Sequence, residues 1–168
     1  VLNGFNLELH QGENLVIMGK SGSGKSVMIK CLVGLMEADS GTISVMKHDI
    51  TKLDRESLDI LRADIGFLFQ GSALYDSMSV RENLEFPLRR HSKKLKKDTD
   101  TESMIIEALE NVGLASAIDL MPSELSGGMK RRVALARTLI LQPKIILYDE
   151  PTSGLDPITA KEIIILMQ

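Results

Sequence analysis

The run GKSGSGKS at residues 19–26 constrains this chain more than any other feature. It follows the β-branched, apolar NLVIMG of residues 14–19 and precedes SVMIKCLVGL, an apolar pattern of helical length. Gly19, Gly24, Lys25 and Ser26 fit the spacing G-x-x-x-x-G-K-[ST] between a strand pattern and a helix pattern, the context this motif requires. Glycines let the backbone curl around phosphate oxygens, while loop N–H groups and the helix N-terminus supply positive potential. The loop thereby assigns Gly19, Lys20, Ser21, Gly22, Ser23, Gly24, Lys25, Ser26 and Val27 to the phosphates of a nucleotide. Lys25 is expected on the β and γ phosphates and the Ser26 hydroxyl on Mg²⁺.

Further along, GTISV reads as a strand, DRESLDILRA as a helix capped by Asp54, and IGFLFQ as a strand ending at Gln70. Strand signals then stop. Ser79 and Glu82 form a capping-box pattern, Pro87 is expected to limit the helix it opens, and Met104, Ile105, Ala108, Leu109 and Val112 draw an apolar stripe ended by Gly113. The basic run at residues 89–97 reads as a solvated connection between helices, with a basic patch for lipid headgroups or nucleic acid as the alternative. Strand character returns in KIILYDE, residues 144–150, after Pro143. The expected layout is α/β: a nucleotide-binding core from residues 1–70 and 136–168, interrupted by a helical subdomain at 71–135.

Three further groups carry chemistry. The strand before Asp149 delivers it to the C-terminal sheet edge, where open α/β sheets bind ligands. Asp149 is expected to hold Mg²⁺, and Glu150 to orient or deprotonate the attacking water. Gln70 sits at a strand end where its carbonyl can touch Mg²⁺ or that water. LSGGM, residues 125–129, places Ser126 before a helix with Gly127 and Gly128 in its first turn, a second anion-facing helix start. One phosphate loop covers one side of a bound nucleotide, so this second start is expected to close over the nucleotide of another copy.

Composition narrows the class. A chain of 168 residues with net charge −3 is neither a nucleic-acid-coating protein nor a disordered tail. At this length roughly 70% of the unfolded surface can be buried, enough for one core. No apolar stretch approaches the roughly 20 residues that cross a bilayer. Cys31 cannot form an internal disulfide and reads as a buried helix residue, so a reducing, cytoplasmic compartment is expected. Val1 without a preceding methionine, and Gln168 inside an apolar helical pattern, suggest truncation at both ends.

In this order, GKSGSGKS, the glutamine of LFQ, LSGGM, IILYDE and SGLD resemble the nucleotide-binding domain of ABC transporters, over essentially the whole chain. The resemblance implies a P-loop NTPase (RecA-like) core with an inserted helical subdomain, and ATP with Mg²⁺ as the bound species. It further implies a head-to-tail dimer around two ATP, with Ser126, Gly127 and Gly128 acting on the partner's ATP and Asp156 at the dimer seam. Catalysis would then rest on Glu150, Gln70 and Lys25, and the metal on Ser26, Gln70 and Asp149. Met129 departs from the usual LSGGQ. The adenine-stacking aromatic and the switch histidine of the family are not identifiable, and His10, His48 and His91 read as surface or turn residues.

LSGGMKRRVALAR and DEPTSGLDPITA also resemble the ATPases of Mla-type, Mce-associated lipid transport systems, in which LSGGM is usual. That implies a second ATPase copy, membrane permease subunits, a periplasmic lipid-binding subunit, no nucleic acid, and a peripheral place on the cytoplasmic face of the inner membrane. Alternatives are another cargo (lipoprotein, drug or solute), a DNA-repair or chromosome ATPase, and a nucleotide-gated module without turnover. The separation of Gln70 from Leu125 is too short for a long coiled coil, and Glu150 argues against the module.

Overall fold

In the computed structural model, which describes residues 2–96 and 98–167, the chain divides into two units, Val1–Leu58 and Asp59–Gln168. The readings placed on Val1, Lys97 and Gln168 lie outside the described residues.

In the first unit the phosphate-loop pattern leads directly into helix α1, Lys25–Leu32. The helix is shorter than its apolar run. Gly34 takes φ +66°, its N–H donates to Cys31 O at 3.0 Å, and Leu35 N–H donates to Lys30 O at 2.8 Å. This pair of bonds turns the chain out of the helix. Strands β1, Ser44–Val45, and β2, His48–Asp49, then form an antiparallel hairpin. Met46 and Lys47 both have positive φ, 49° and 68°, which matches the strand twist of a tight hairpin. Of GTISV, only Ser44 and Val45 are therefore strand.

The expected strand at residues 14–19 is not formed. Val16 and Met18 are 82% and 89% exposed. β-Branched residues favour extended backbone, but a strand exists only through a hydrogen-bonded neighbour, and none pairs with this run among the described residues.

Asp54 Oδ1 accepts from Ser57 N–H at 2.7 Å and caps helix α2, Arg55–Arg62. In the second unit, strand β3, Ile65–Leu68, pairs in parallel with β4, Ile145–Tyr148, in the register Ile65↔Ile145 to Leu68↔Tyr148. Parallel neighbours need a crossover. Here it contains α3, Val80–Arg90, α4, Thr101–Asn111, and α5, Gly127–Leu139; α6, Pro157–Leu166, follows β4. The core joins Val80, Leu84 and Leu88 of α3 to Ile105 and Leu109 of α4 and to Val133 and Ala136 of α5.

Pro87 does not limit α3 but lies inside it. An interior proline costs about 3 kcal/mol through its missing N–H and its ring. Against this stand the capping box, with Glu82 N–H to Ser79 Oγ at 3.2 Å and Ser79 N–H to Glu82 Oε2 at 2.7 Å, and three fully buried side chains. Val80, Leu84 and Leu88 contribute about 1.5–3 kcal/mol each, enough to carry the helix past the proline.

The basic run is only partly a solvated connection. Arg90 pairs with Asp59 at 2.9 Å, and Lys94 Nζ meets Asp64 Oδ1 at 2.7 Å while donating to Ala63 O and Leu141 O. Lys144 reaches the other Asp64 oxygen at 2.6 Å, so this cluster pins the starts of both strands. Burial pushes the Asp64 carboxyl up, but the two ammonium groups outweigh it and hold its pKa below the ordinary value.

Candidate functional site

The loop at residues 19–26 closes on itself through its own lysine. Lys25 Nζ donates to Gly19 O at 2.8 Å and Lys20 O at 3.1 Å, and Ser23 N–H donates to Lys20 O at 3.2 Å. A Cβ on Gly19 would stand 2.7 Å from Ser23 Oγ, so the curl excludes a side chain there. Gly24 occupies the N-cap of α1 at φ +101°, and no side chain caps that helix. Lys20 and Ser21 are exposed, and Ser26 and Val27 lie half-buried in the first turn of α1. The result is a concave backbone loop with one ammonium drawn over its carbonyls, suited to an anion.

In the second unit, parallel pairing brings the C-terminal ends of β3 and β4 side by side. Asp149 N–H donates to Leu68 O at 3.0 Å, continuing the ladder, and Asp149 is 9% exposed. Glu150 then adopts φ +47°, a left-handed conformation that a residue with a Cβ rarely takes. Gln70 Nε2 donates to Glu150 Oε2 at 2.9 Å and lies 3.4 Å from Ser153 Oγ. A carboxylate only accepts, so the amide turns its NH₂ toward Glu150 and keeps its carbonyl for another ligand. The two residues assigned to the attacking water are thus joined by a direct hydrogen bond.

Taken unit by unit, the chemistry is that of hard oxygen ligands, a Ser26 hydroxyl in the first and a Gln70 carbonyl and an Asp149 carboxylate in the second, the kind of donor Mg²⁺ takes alongside waters and phosphate oxygens.

Ser126 caps α5, its Oγ accepting from Met129 N–H at 3.2 Å. A Cβ on Gly127 would meet open space, as a backbone presented to an outside group requires. Gly128 has an additional reason to be glycine: a Cβ there would lie 2.7 Å from Thr159 Cγ2 on α6. Asp156 caps α6, accepting from the Ile158 and Thr159 amides at 3.1 Å each and from Thr159 Oγ1 at 2.5 Å. Those bonds, that of the Thr159 hydroxyl foremost, hold the Asp156 carboxyl below its usual pKa.

Sequence reading missed three polar residues that hold the chain between Phe69 and Ser79. Arg131, 4% exposed on α5, donates to Phe69 O at 2.7 Å and to Gln70 O. Arg137 donates to Ala73 O at 2.8 Å and Ser72 O at 3.1 Å, residues that both have positive φ. Burial lowers the pKa of both guanidinium groups. Asn83, fully buried, accepts from Tyr75 N–H at 2.9 Å and donates to Tyr75 O, Met78 O and Ser79 O. The signal was available for Arg131, which shares a face of α5 with the buried Ala134 and Leu135 by helical spacing.

The family model described as ABC transporter matches residues 2–153. The chain is 44% identical over 152 residues to the probable ribonucleotide transport ATP-binding protein mkl of Mycobacterium leprae, covering 90% of this chain and 43% of that protein. It is 41% identical over 168 residues to protein TRIGALACTOSYLDIACYLGLYCEROL 3, chloroplastic, of Arabidopsis thaliana, covering 95% of this chain and 48% of that protein. The chain thus spans less than half the length of either. Among solved structures, the dimeric post-hydrolysis state of the ATP-binding cassette MJ0796 bound to ADP and Pi superposes with TM-score 0.86 at 35% identity, covering 96% of this chain and 70% of that one.

Proposed function

The chain belongs to the ABC transporter family, and we propose that it forms most of an ATP-hydrolysing cassette that drives a membrane permease. Its fold is that of the ABC ATPase cassettes, a P-loop NTPase. The observation that carries the reading is the hydrogen bond between Gln70 and Glu150 at the C-terminal edge of the parallel strands.

In this reading the loop at 19–27 binds the phosphates of ATP, and Lys25 leaves its loop carbonyls to meet them. Ser26, Gln70 and Asp149 would hold Mg²⁺, which would supply charge neutralisation for the phosphates when bound. Glu150 accepts the proton of the attacking water, oriented by Gln70. Two copies meet head to tail, so that Ser126, Gly127 and Gly128 of one approach the γ-phosphate bound by the other, with Asp156 at the seam. Residues 1–70 and 136–168 act as the nucleotide-binding core and 71–135 as the helical subdomain. Among the described residues no helix is long and apolar enough to cross a membrane. On the family resemblance, the cassette would sit peripherally on the cytoplasmic face of the inner membrane, against the permease.

For cargo we favour phospholipid or another hydrophobic molecule, delivered with a periplasmic lipid-binding subunit. LSGGM supports this, as does the glycerolipid in the name of the Arabidopsis relative; the name of the mycobacterial relative points to a ribonucleotide.

The test is ATP hydrolysis by the full-length protein co-purified with its membrane partners, with and without Glu150→Gln. The variant should bind ATP and accumulate as a dimer, with hydrolysis reduced at least about 100-fold, as for loss of one key catalytic contact. Unimpaired hydrolysis would overturn the assignment of the base.

A further inference from the structure

Gln70 and Glu150 each lie two residues beyond the end of a different strand, and their contact requires two loops to stop in the same place. The residue that spans those loops comes from neither strand. Arg131 stands on α5, five positions after the Ser126 cap, and its guanidinium donates to Phe69 O at 2.7 Å and to Gln70 O. The same group lies 3.5 Å from Ser153 O, three residues beyond Glu150. The Gln70 side chain in turn reaches Glu150 Oε2 and Ser153 Oγ. A ring of contacts therefore runs from α5 to the Gln70 backbone, through the Gln70 amide to Glu150, and back to α5 by way of Ser153.

The geometry points to Arg131 as a positioning residue for hydrolysis, one that fixes the Gln70–Glu150 pair relative to the helix opened by Ser126. This rests on the ATPase reading above. Arg131 touches no substrate atom in that reading; it acts through two backbone segments. The ring lets α5 transmit its position to Glu150, so a partner's ATP drawing on Ser126 would also tug the residues that handle water. A planar fork with several N–H groups meets separate carbonyls at once, whereas an ammonium is a single compact donor centre. The position thus demands arginine rather than positive charge alone. Its burial agrees: Arg131 is 4% exposed and its Nε has no partner among the described residues, so neither a surface charge nor a second salt bridge accounts for it.

The experiment compares Arg131→Met and Arg131→Lys with wild type, each as full-length protein in its membrane complex. Steady-state ATP hydrolysis is measured beside amide hydrogen exchange of peptides covering residues 69–72, 150–153 and 84–88. For Arg131→Met the expected result is a kcat lower by about 10- to 100-fold, the scale of an ångström of misplacement, with KM for ATP within about 3-fold of wild type. Exchange should rise at 69–72 and 150–153 and stay unchanged at 84–88, in the core of α3. Arg131→Lys should fall between the two and keeps the test open if the methionine variant does not fold. A merely structural role would speed exchange at 84–88 as well. That pattern, or wild-type kcat in a folded Arg131→Met, would overturn the inference. A wild-type complex without Mg²⁺-dependent hydrolysis would overturn the ATPase reading beneath it, a result distinguished by its independence from Arg131.

Discussion

Gly128 offers a perturbation whose sign can be set by a neighbour. Gly128→Ala places a methyl 2.7 Å from Thr159 Cγ2, well inside van der Waals contact. Thr159 cannot simply rotate away, because its Oγ1 is bonded to Asp156 Oδ2 at 2.5 Å in the cap of α6. Overpacking of this kind costs about 1–3 kcal/mol. Set against it, alanine is favoured over glycine in a helix by up to about 1 kcal/mol. The net expectation is destabilisation by about 1 kcal/mol, or a Tm lower by roughly 2–4 °C for a domain of 150–250 residues. Thr159→Ser removes Cγ2 alone and keeps the hydroxyl that serves the cap. In that background Gly128→Ala should be neutral or stabilising, a coupling of about 1 kcal/mol that thermal and urea unfolding of the four proteins would measure. If alanine costs the same in both backgrounds to within about 0.5 kcal/mol, the contact with Thr159 is not the reason for glycine. If the double variant is stable but does not hydrolyse ATP, Gly128 has a second duty of the kind proposed for a partner's phosphate.

Two other outcomes follow from the same geometry. Ser126→Arg should abolish ATP hydrolysis by the full complex while ATP still binds; untouched hydrolysis would reduce LSGGM to a helix cap. Asp64, held below its ordinary pKa by Lys144 and Lys94, contributes stability that is fully present above its unfolded pKa of about 4 and is lost as pH falls through the lower folded value. Urea midpoints measured from pH 7 down to pH 3 should therefore fall less in Asp64→Asn than in wild type, and equal slopes would refute the argument.

Much of the local geometry around the candidate site could be read from local chemistry. The glycine and lysine spacing at 19–26, the Asp54, Ser79 and Ser126 caps and the stop at Gly113 involve atoms a few residues apart, and all appear where the pattern put them. What failed depended on distant atoms. Residues 14–19 have strand composition without a pairing partner, and Pro87 follows a local rule that burial of Val80, Leu84 and Leu88 overrides. Arg131, Arg137 and Asn83 looked like ordinary polar helix residues because their partners are backbone carbonyls of loops up to 65 positions away, which composition cannot indicate.

If Ser126 meets a partner's phosphate as proposed, its cap joins two requirements that usually conflict. Aspartate caps helices about as well as serine, but would set a negative charge before an approaching phosphate. Glycine costs a helix little at the same place, yet has no proton to give. A hydroxyl that accepts from the Met129 amide still carries its own hydrogen, so one oxygen can receive on its helix side and donate outward. At this position the side chain that best closes a helix and the one that best greets an anion differ, and serine satisfies both with a single atom.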